Sequence, residues 1–485
     1  MTEPCDLSAV EARRLIGAKR LSPVELTESC IARIEAVDHA VNAMVARDFD
    51  RARVAAKDAE AAVMRGDALG PLHGLPFGVK DLEETGGLRS TFGSELFRDN
   101  IPARDERSVA SLKAAGGILL GKTNTPEFGA GANTRNAVYG ATGNPFDPVR
   151  SCAGSSGGSA VALATGMVPL ATGSDLGGSL RNPAAFCGIV GFRPSPGLVA
   201  SERHGMGWSP LSVNGPMARN VPDLCLMLSA MASTDGRDPL APKVLDTYYP
   251  PREVDLSALR VAFTPDFGFA LVERIVRDAF AERMALLRGQ FAEAAEATPD
   301  CTGADDCFAV LRATGALAAH EEKLRLTPHL VGPNVRANVE EGLRYSALDV
   351  ARAEVTHTAI HRRWQDFYQR FDLLIAPTVA ITPRPWRELF PREIDGAPTR
   401  SYYHWLAPVY AVTLSGHPSV SIPAGLDAAG MPFGLQVVGP RGGDAFVLAA
   451  AAALQRVLPP RPVPDIAKLR AAPPISGMEG FLGFD

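Results

Sequence analysis

Two serines and one lysine have neighbours that would let them do chemistry. Ser155 sits in Gly154-Ser155-Ser156-Gly157-Gly158-Ser159, and Ser179, 24 positions on, in Asp175-Leu176-Gly177-Gly178-Ser179-Leu180-Arg181. Glycines on either side let a backbone turn sharply and let other groups come close, so both hydroxyls and their neighbouring N–H groups are well placed to meet a ligand. A serine hydroxyl is a weak nucleophile at neutral pH and needs a base. None of the nine histidines lies between Arg150 and Pro194, and the one nearest a motif is His73, in a loop. Lys80 offers another route. It ends the apolar run Pro76-Phe77-Gly78-Val79, and desolvation there would disfavour its charged form enough to make it a base. Serine–lysine pairs are a known variant of the serine–base arrangement.

Taken singly, each feature has a plainer reading. A lysine at a strand end is usually solvated, and a Gly-Ser loop usually marks a turn. The Ser155 loop also lacks the Gly-Lys-Ser/Thr ending of a phosphate loop. His357 and His361 have the spacing of zinc ligands, but Thr358 stands where a metalloprotease has glutamate, so a surface helix is expected. Cys301 and Cys307 are too few for a metal site.

The bulk properties narrow the class. With 485 residues, 46% hydrophobic and 21% charged, the chain can build a large core. A net charge of −5 leaves no basic footprint for nucleic acid or an anionic membrane. The longest apolar run, Ala445–Leu454, is too short to span a bilayer. Seven irregularly spaced cysteines make no disulfide framework. No basic segment followed by an apolar run opens the chain, so a cytoplasmic protein is expected.

The elements that must position these residues follow from pattern. Residues 1–66 read as a helical layer, with capping boxes at Ser8/Glu11 and Ser22/Glu25 and a third helix stopping at Gly66. Residues 67–232 read as a catalytic core of alternating strands and helices, with strands ending near Lys80 and over 117–122 and 188–192, and loop over 129–143. Between the two serines lies an apolar piece that reads as a short helix and a buried strand. Residues 233–370 turn helical and charged, carry no interpretable motif, and are expected to cover the site. Core character returns over 371–458 as three strands and a helix capped by Asp444, and 459–485 reads as a proline-rich tail. The alternation predicts one large α/β domain, its buried sheet covered by helices on both faces.

Taken together, the motifs resemble the amidase signature family. They are Phe77-Gly78-Val79-Lys80-Asp81, Gly121-Lys122-Thr123-Asn124, the two glycine–serine segments, Pro183-Ala184-Ala185-Phe186-Cys187-Gly188 and Ala376-Pro377-Thr378, in the right order along the chain. The resemblance implies a central mixed, twisted sheet and hydrolysis of the C–N bond of an amide through a Lys80–Ser155–Ser179 triad. In that scheme Ser179 is the nucleophile, and Ser155, held by a cis peptide bond, relays its proton to and from Lys80. Backbone N–H groups of Leu176, Gly177, Gly178 and Ser179 form the oxyanion hole, and no metal or organic cofactor is needed. Ser156, Asp175 and Arg181 support the loop, and Cys187 is a buried packing residue.

Gly129 and Ala130 match a loop that lines the acyl pocket in relatives, and their small size leaves room for a bulky or aromatic acyl group. The aromatic cluster Tyr402, Tyr403, His404, Trp405 and Tyr410 is either pocket or core. The expected substrate is a small to medium, apolar or aromatic carboxamide or anilide; dimers are common among relatives. Departures from the family pattern are Ala153 for glycine, Ser174 for threonine and Phe192-Arg193 for Leu-Lys. One rival is the ammonia-releasing component of a glutamine-dependent amidotransferase, which would need an acidic residue about ten positions before Leu414-Ser415-Gly416; Trp405-Leu406-Ala407-Pro408 holds none. The other is a non-catalytic amide-binding relative, whose expected mark is loss of a triad member.

Overall fold

The computed structural model describes residues 3–475. The N-terminal layer follows its caps. Helix α1 (Ala9–Gly17) starts behind Ser8, whose Oγ accepts from the Glu11 N–H at 3.1 Å. Helix α2 (Pro23–Val41) opens with the complete Ser22/Glu25 box, whereas Ser8 and Glu11 supply only the first half of theirs. A strand that the sequence pattern does not announce, β1 (Met44–Arg47), precedes α3 (Phe49–Arg65), which ends where Gly66 takes φ of +81°.

The core then runs β2 (Pro76–Lys80), α4 (Arg107–Ala114) and β3 (Ile118–Thr123). The expected loop over 129–143 holds only the short hairpin β4 (Arg135–Asn136) and β5 (Gly140–Ala141). Next come α5 (Gly157–Ala164), β6 (Leu170–Asp175), α6 (Arg181–Cys187), β7 (Val190–Arg193), β8 (Val213–Ala218) and α7 (Val221–Met231).

The covering region is not wholly helical. It contributes β9 (Arg260–Phe263) and β10 (Glu293–Glu296) besides α8 (Arg274–Leu287), α9 (Ala304–Leu326), α10 (Pro333–Gly342) and α11 (Ala347–Arg370). The chain returns through β11 (Leu373–Pro377), the hairpin β12 (Glu393–Ile394) and β13 (Ala397–Pro398), α12 (Ala407–Ser415), β14 (Ser419–Leu426), β15 (Pro432–Val438) and α13 (Asp444–Val457). Asp444 does not cap α13. It is the first helical residue, and its carboxylate accepts from Ser195 N–H at 2.7 Å and Ser195 Oγ at 2.6 Å, tying the helix to the loop after β7. The proline-rich tail contains α14 (Ile466–Ala471); its last part, 476–485, lies outside the described residues, as do residues 1–2.

Eleven strands form one mixed sheet in the order β1-β3-β2-β6-β8-β7-β14-β15-β11-β9-β10. Strands β3, β2 and β6 run parallel, then β8, β7, β14, β15 and β11 alternate, and β9 and β10 run parallel with β11. The register pairs Phe77 with Leu170 and Gly78 with Ala171, so the C-terminal ends of β2 and β6 deliver Lys80 and the Ser174-Asp175 pair side by side. Ligands gather at the carboxyl ends of parallel strands because the loops that leave there diverge and open a crevice. Among the described residues, no helix is long and apolar enough to cross a membrane.

Candidate active site

Lys80 is the last residue of β2, a strand buried along its whole length, and its side chain is fully enclosed. Its Nζ lies 2.7 Å from Ser155 Oγ, 2.9 Å from Ser156 Oγ and 2.9 Å from Ser174 Oγ. Burial disfavours the ammonium and lowers its pKa to about 7, against the smaller opposing pull of Glu83 and Asp175. Ser155 follows a cis Gly154–Ser155 peptide just before α5. Ser156 spends its own proton on the Ser174 carbonyl (3.4 Å) and so faces Lys80 as an acceptor. Ser174, which stands where threonine is usual, completes the shell around the amine with its hydroxyl.

Ser179 lies five residues beyond Ser174, in the turn between β6 and α6. Asp175 shapes that turn. Its carboxylate accepts the N–H groups of Gly178 (3.0 Å) and Leu180 (3.2 Å), a two-point contact from Arg181 (2.9 Å each) and Arg193 Nη1 (3.2 Å). Burial alone would push this carboxyl up, but Arg181 and Arg193 overcome that and hold it well below the usual range. Arg181 is itself tied to the Val409 carbonyl, Gln436 and Thr413. Arg193, one of the departures from the family pattern, also donates to the Asp175 and Leu211 carbonyls at 2.6 and 2.9 Å, so it braces the loop from below.

The turn demands glycine at Gly178, where φ is +98° and a Cβ would lie 2.4 Å from Val409 Cγ2. Asp175→Ala would leave two fully buried guanidinium groups without their counter-charge. We expect it to destabilise the fold by about 3–5 kcal/mol, read as a lower urea midpoint; a loss under about 1 kcal/mol would show that the turn holds without it.

Of the four N–H groups expected in the oxyanion hole, Gly178 must be set aside, because its N–H is held by Asp175. Among the described residues, no hydrogen bond uses the N–H of Leu176, Gly177 or Ser179. These three residues, with Ser155 and Ser174, form part of the wall of a cavity of about 380 Å³, a size suited to a small ligand. Unpaired backbone donors at a cavity wall are rare in folded proteins and would serve a developing negative charge.

Gly129 and Ala130 also line this cavity, as expected. Gly129 has φ of +73°, and a Cβ there would sit 3.0 Å from Leu82 Cδ1 and 3.4 Å from Ser155 Oγ. Trp405 does not line it. Its indole is 4% exposed and stacks on Phe186 at 6.1 Å, because the short turn over His404–Leu406 directs it into the core. Tyr402, Tyr403 and Leu406 face the cavity instead, while Tyr410 stacks on Phe308 at 4.3 Å, beside the cavity rather than in its wall. The opposite wall comes from α9 and α10, within the stretch that carries no interpretable motif. The available signal is the three- and four-residue spacing of Phe308, Leu311, Arg312 and Gly315.

A second buried network lies behind Lys80. Glu83 accepts from Ser108 and Thr172, and Thr172 Oγ1 accepts the Lys80 N–H at 3.0 Å. Fully buried Lys122 donates to the Glu83 carbonyl and stands 3.7 Å from Asp81, compensating the acids there. His73 and His361 are occupied structurally, on the Ala59 and Ser415 carbonyls, and Cys301 and Cys307 are buried thiols.

The comparisons with known proteins agree with this architecture. The amidase family model matches residues 25–448. The chain belongs to the amidase signature family. An acylamidase from Rhodococcus erythropolis is 35% identical, the match covering 93% of this chain and 96% of the relative. The A subunit of the glutamyl-tRNA(Gln) amidotransferase from Anaeromyxobacter dehalogenans (strain 2CP-C) is also 35% identical, over 95% of this chain and 98% of its own. The crystal structure of a bacterial aryl acylamidase from the same family superposes with a TM-score of 0.87 at 28% identity, covering 97% of this chain and 99% of that one. The chain is therefore an amidohydrolase-type enzyme of this family, built as one large domain around a mixed sheet.

Proposed function

We propose that the protein hydrolyses the C–N bond of small to medium, apolar or aromatic carboxamides or anilides through Lys80, Ser155 and Ser179. The observation that carries this reading is the enclosed Lys80 amine 2.7 Å from Ser155 Oγ, behind a cavity wall that holds Ser155, Ser179 and three unpaired N–H groups. A neutral amine donates to two of its three hydroxyl neighbours and accepts from the third. Ser156 and Ser174 take the donated protons, which turns the Ser155 O–H toward the nitrogen.

In this reaction Ser179 Oγ attacks the amide carbonyl as its proton passes to Ser155 Oγ, and the Ser155 proton passes to Lys80. The N–H groups of Leu176, Gly177 and Ser179 receive the oxyanion. As the tetrahedral intermediate collapses, the proton returns through Ser155 to the departing nitrogen, which leaves as an amine only when protonated. Water then attacks the Ser179 ester under the same relay, releasing the carboxylic acid and restoring the serine.

Phe128, Leu176, Phe308 and Leu311 give the cavity an apolar lining, which supports an apolar or aromatic acyl group. The acylamidase relatives support the same class. Because Lys80 must be neutral to accept a proton, and burial lowers its pKa to about 7, kcat/KM should rise with pH through about 7 and level off above. A profile flat from pH 5 to 9 would exclude Lys80 as the base.

The equally similar amidotransferase relative favours a second reading, release of ammonia from glutamine for a partner. Glutamine's α-ammonium calls for an acidic partner, and no Asp or Glu is among the described residues lining the cavity. Amine release from a panel of aliphatic amides, benzamides, anilides, peptide amides and glutamine decides between them. Turnover of an aryl or alkyl amide supports the amidase; turnover of glutamine alone supports the amidotransferase.

A further inference from the structure

Helix α9 runs along the cavity with one face. Phe308, Leu311, Arg312, Gly315, Ala319 and His320 all line it, at the three- and four-residue steps that bring side chains onto one side of a helix. Phe308 fixes the start of this ruler, since a Cβ on Gly177 would lie 3.2 Å from its ring. Arg312 follows one turn later, roughly 6 Å along the axis. Gly315 lies inside the helix, where alanine would be the better helix former, yet a Cβ there would meet nothing within 4 Å. Its small size leaves the cavity wide at the level of Arg312.

Arg312 is 6% exposed and its guanidinium stacks over the Tyr403 ring at 4.1 Å. One N–H goes to Asn338 Oδ1 and one to Glu341; its buried Nε has no acceptor. A guanidinium carries five N–H groups. The enclosed Nε–H is out of a ligand's reach, so the donors this wall residue has left for the cavity are the second hydrogens of Nη1 and Nη2. Asn338, 4% exposed, shares that wall and donates to Tyr402 Oη at 3.1 Å. Glu341 is not part of the wall; it is also held by Tyr403 and Tyr345 at 2.8 and 3.0 Å. It therefore neutralises Arg312 from behind. A carboxylate ligand would bring a surplus negative charge into a mostly apolar site, whereas an uncharged oxygen would satisfy the spare donors without one.

We infer that Arg312 and Asn338 form a polar subsite in the cavity, and that preferred amides carry there an uncharged hydrogen-bond acceptor, such as a second carbonyl, several bonds from the scissile carbonyl. This rests on the amidase reading above. The test uses three anilides with one leaving group: hexananilide, 5-oxohexananilide and glutaranilate. Their dissociation constants are measured on the full-length Ser179→Ala protein, so that binding is separated from turnover. The 5-oxo compound should bind about tenfold more tightly than hexananilide, and glutaranilate no more tightly than hexananilide.

Arg312→Met should bring the first ratio to about one. Because it strands the Glu341 carboxylate, Asn338→Ala serves as a second variant and should reduce the ratio at least threefold by freeing Arg312 to turn away. A ratio near one in the unsubstituted cavity, tightest binding of glutaranilate, or no measurable binding of any of the three would overturn the inference. Failure of the amidase reading looks different: aniline release that survives Ser179→Ala leaves this binding ratio unaffected.

Discussion

Ser179→Ala should lose amide turnover on the order of 10⁵-fold, while affinity for the same amide changes little. Removing the nucleophile of a serine hydrolase eliminates the covalent route and leaves only what positioning and the oxyanion donors achieve with water. Ser179 is partly exposed in the cavity wall, so losing one oxygen opens no hole in the core. The turn that carries it is held by Asp175, Arg181 and Arg193, none of which touches the Ser179 hydroxyl. The variant should therefore unfold at the same temperature as the parent. Equal turnover in parent and variant would remove Ser179 from the chemistry; a large drop in melting temperature would make the loss of rate uninterpretable as catalysis.

Lys80→Ala should cost about 10²–10⁴-fold in kcat, the range general acid–base groups supply. Two control measurements separate lost chemistry from lost structure. Lys80→Met keeps most of the buried volume but no amine, and it should be as slow as the alanine variant while unfolding closer to the parent. Lys80→Ala opens a space next to Ser155, Ser156 and Ser174, and added methylamine should restore part of the rate with saturation. The acid limb near pH 7 should vanish in both variants, because the group that titrates there is gone. Retention of that limb would assign it to another group. His204 also lines the cavity, and burial lowers its pKa below the ordinary histidine value.

The site is legible in the sequence to the extent that chemistry dictates residue type. Lys80 reads as a base because a charge-poor strand ends on it, and the strand is buried from Pro76 onward. Gly178 is glycine because no side chain fits against Val409. Ala153, the alanine at a usual glycine, takes φ of +58° and keeps the left-handed backbone that glycine would have adopted freely.

Other features are not legible, for physical reasons. Glu293–Glu296 is made of helix-favouring residues yet forms the edge strand β10, because pairing with β9 outweighs local preference. The half of the cavity built by α9 and α10 depends on which helix faces meet the core, and the apolar residues of α9 are not gathered on one face. Only the spacing of Arg312 from Phe308 and Leu311 hints that it will be enclosed. Trp405 and its neighbours Tyr402 and Tyr403 are indistinguishable as aromatics; a short helical turn sends the first inward and the others to the cavity. The N–H of Gly178 reads as free in sequence, and only the fold shows that the Asp175 carboxylate claims it.

The proposed mechanism turns on one covalent event, acylation of Ser179, and that event can be read directly. Wild-type protein is treated with an alkyl fluorophosphonate, digested, and the modified peptide identified by mass spectrometry, alongside Ser179→Ala and Lys80→Ala. The predicted result is one adduct per chain, on Ser179, absent from Ser179→Ala and formed far more slowly in Lys80→Ala. An adduct on Ser155 or another serine, or no adduct from protein that hydrolyses amides, would contradict the mechanism proposed for this site.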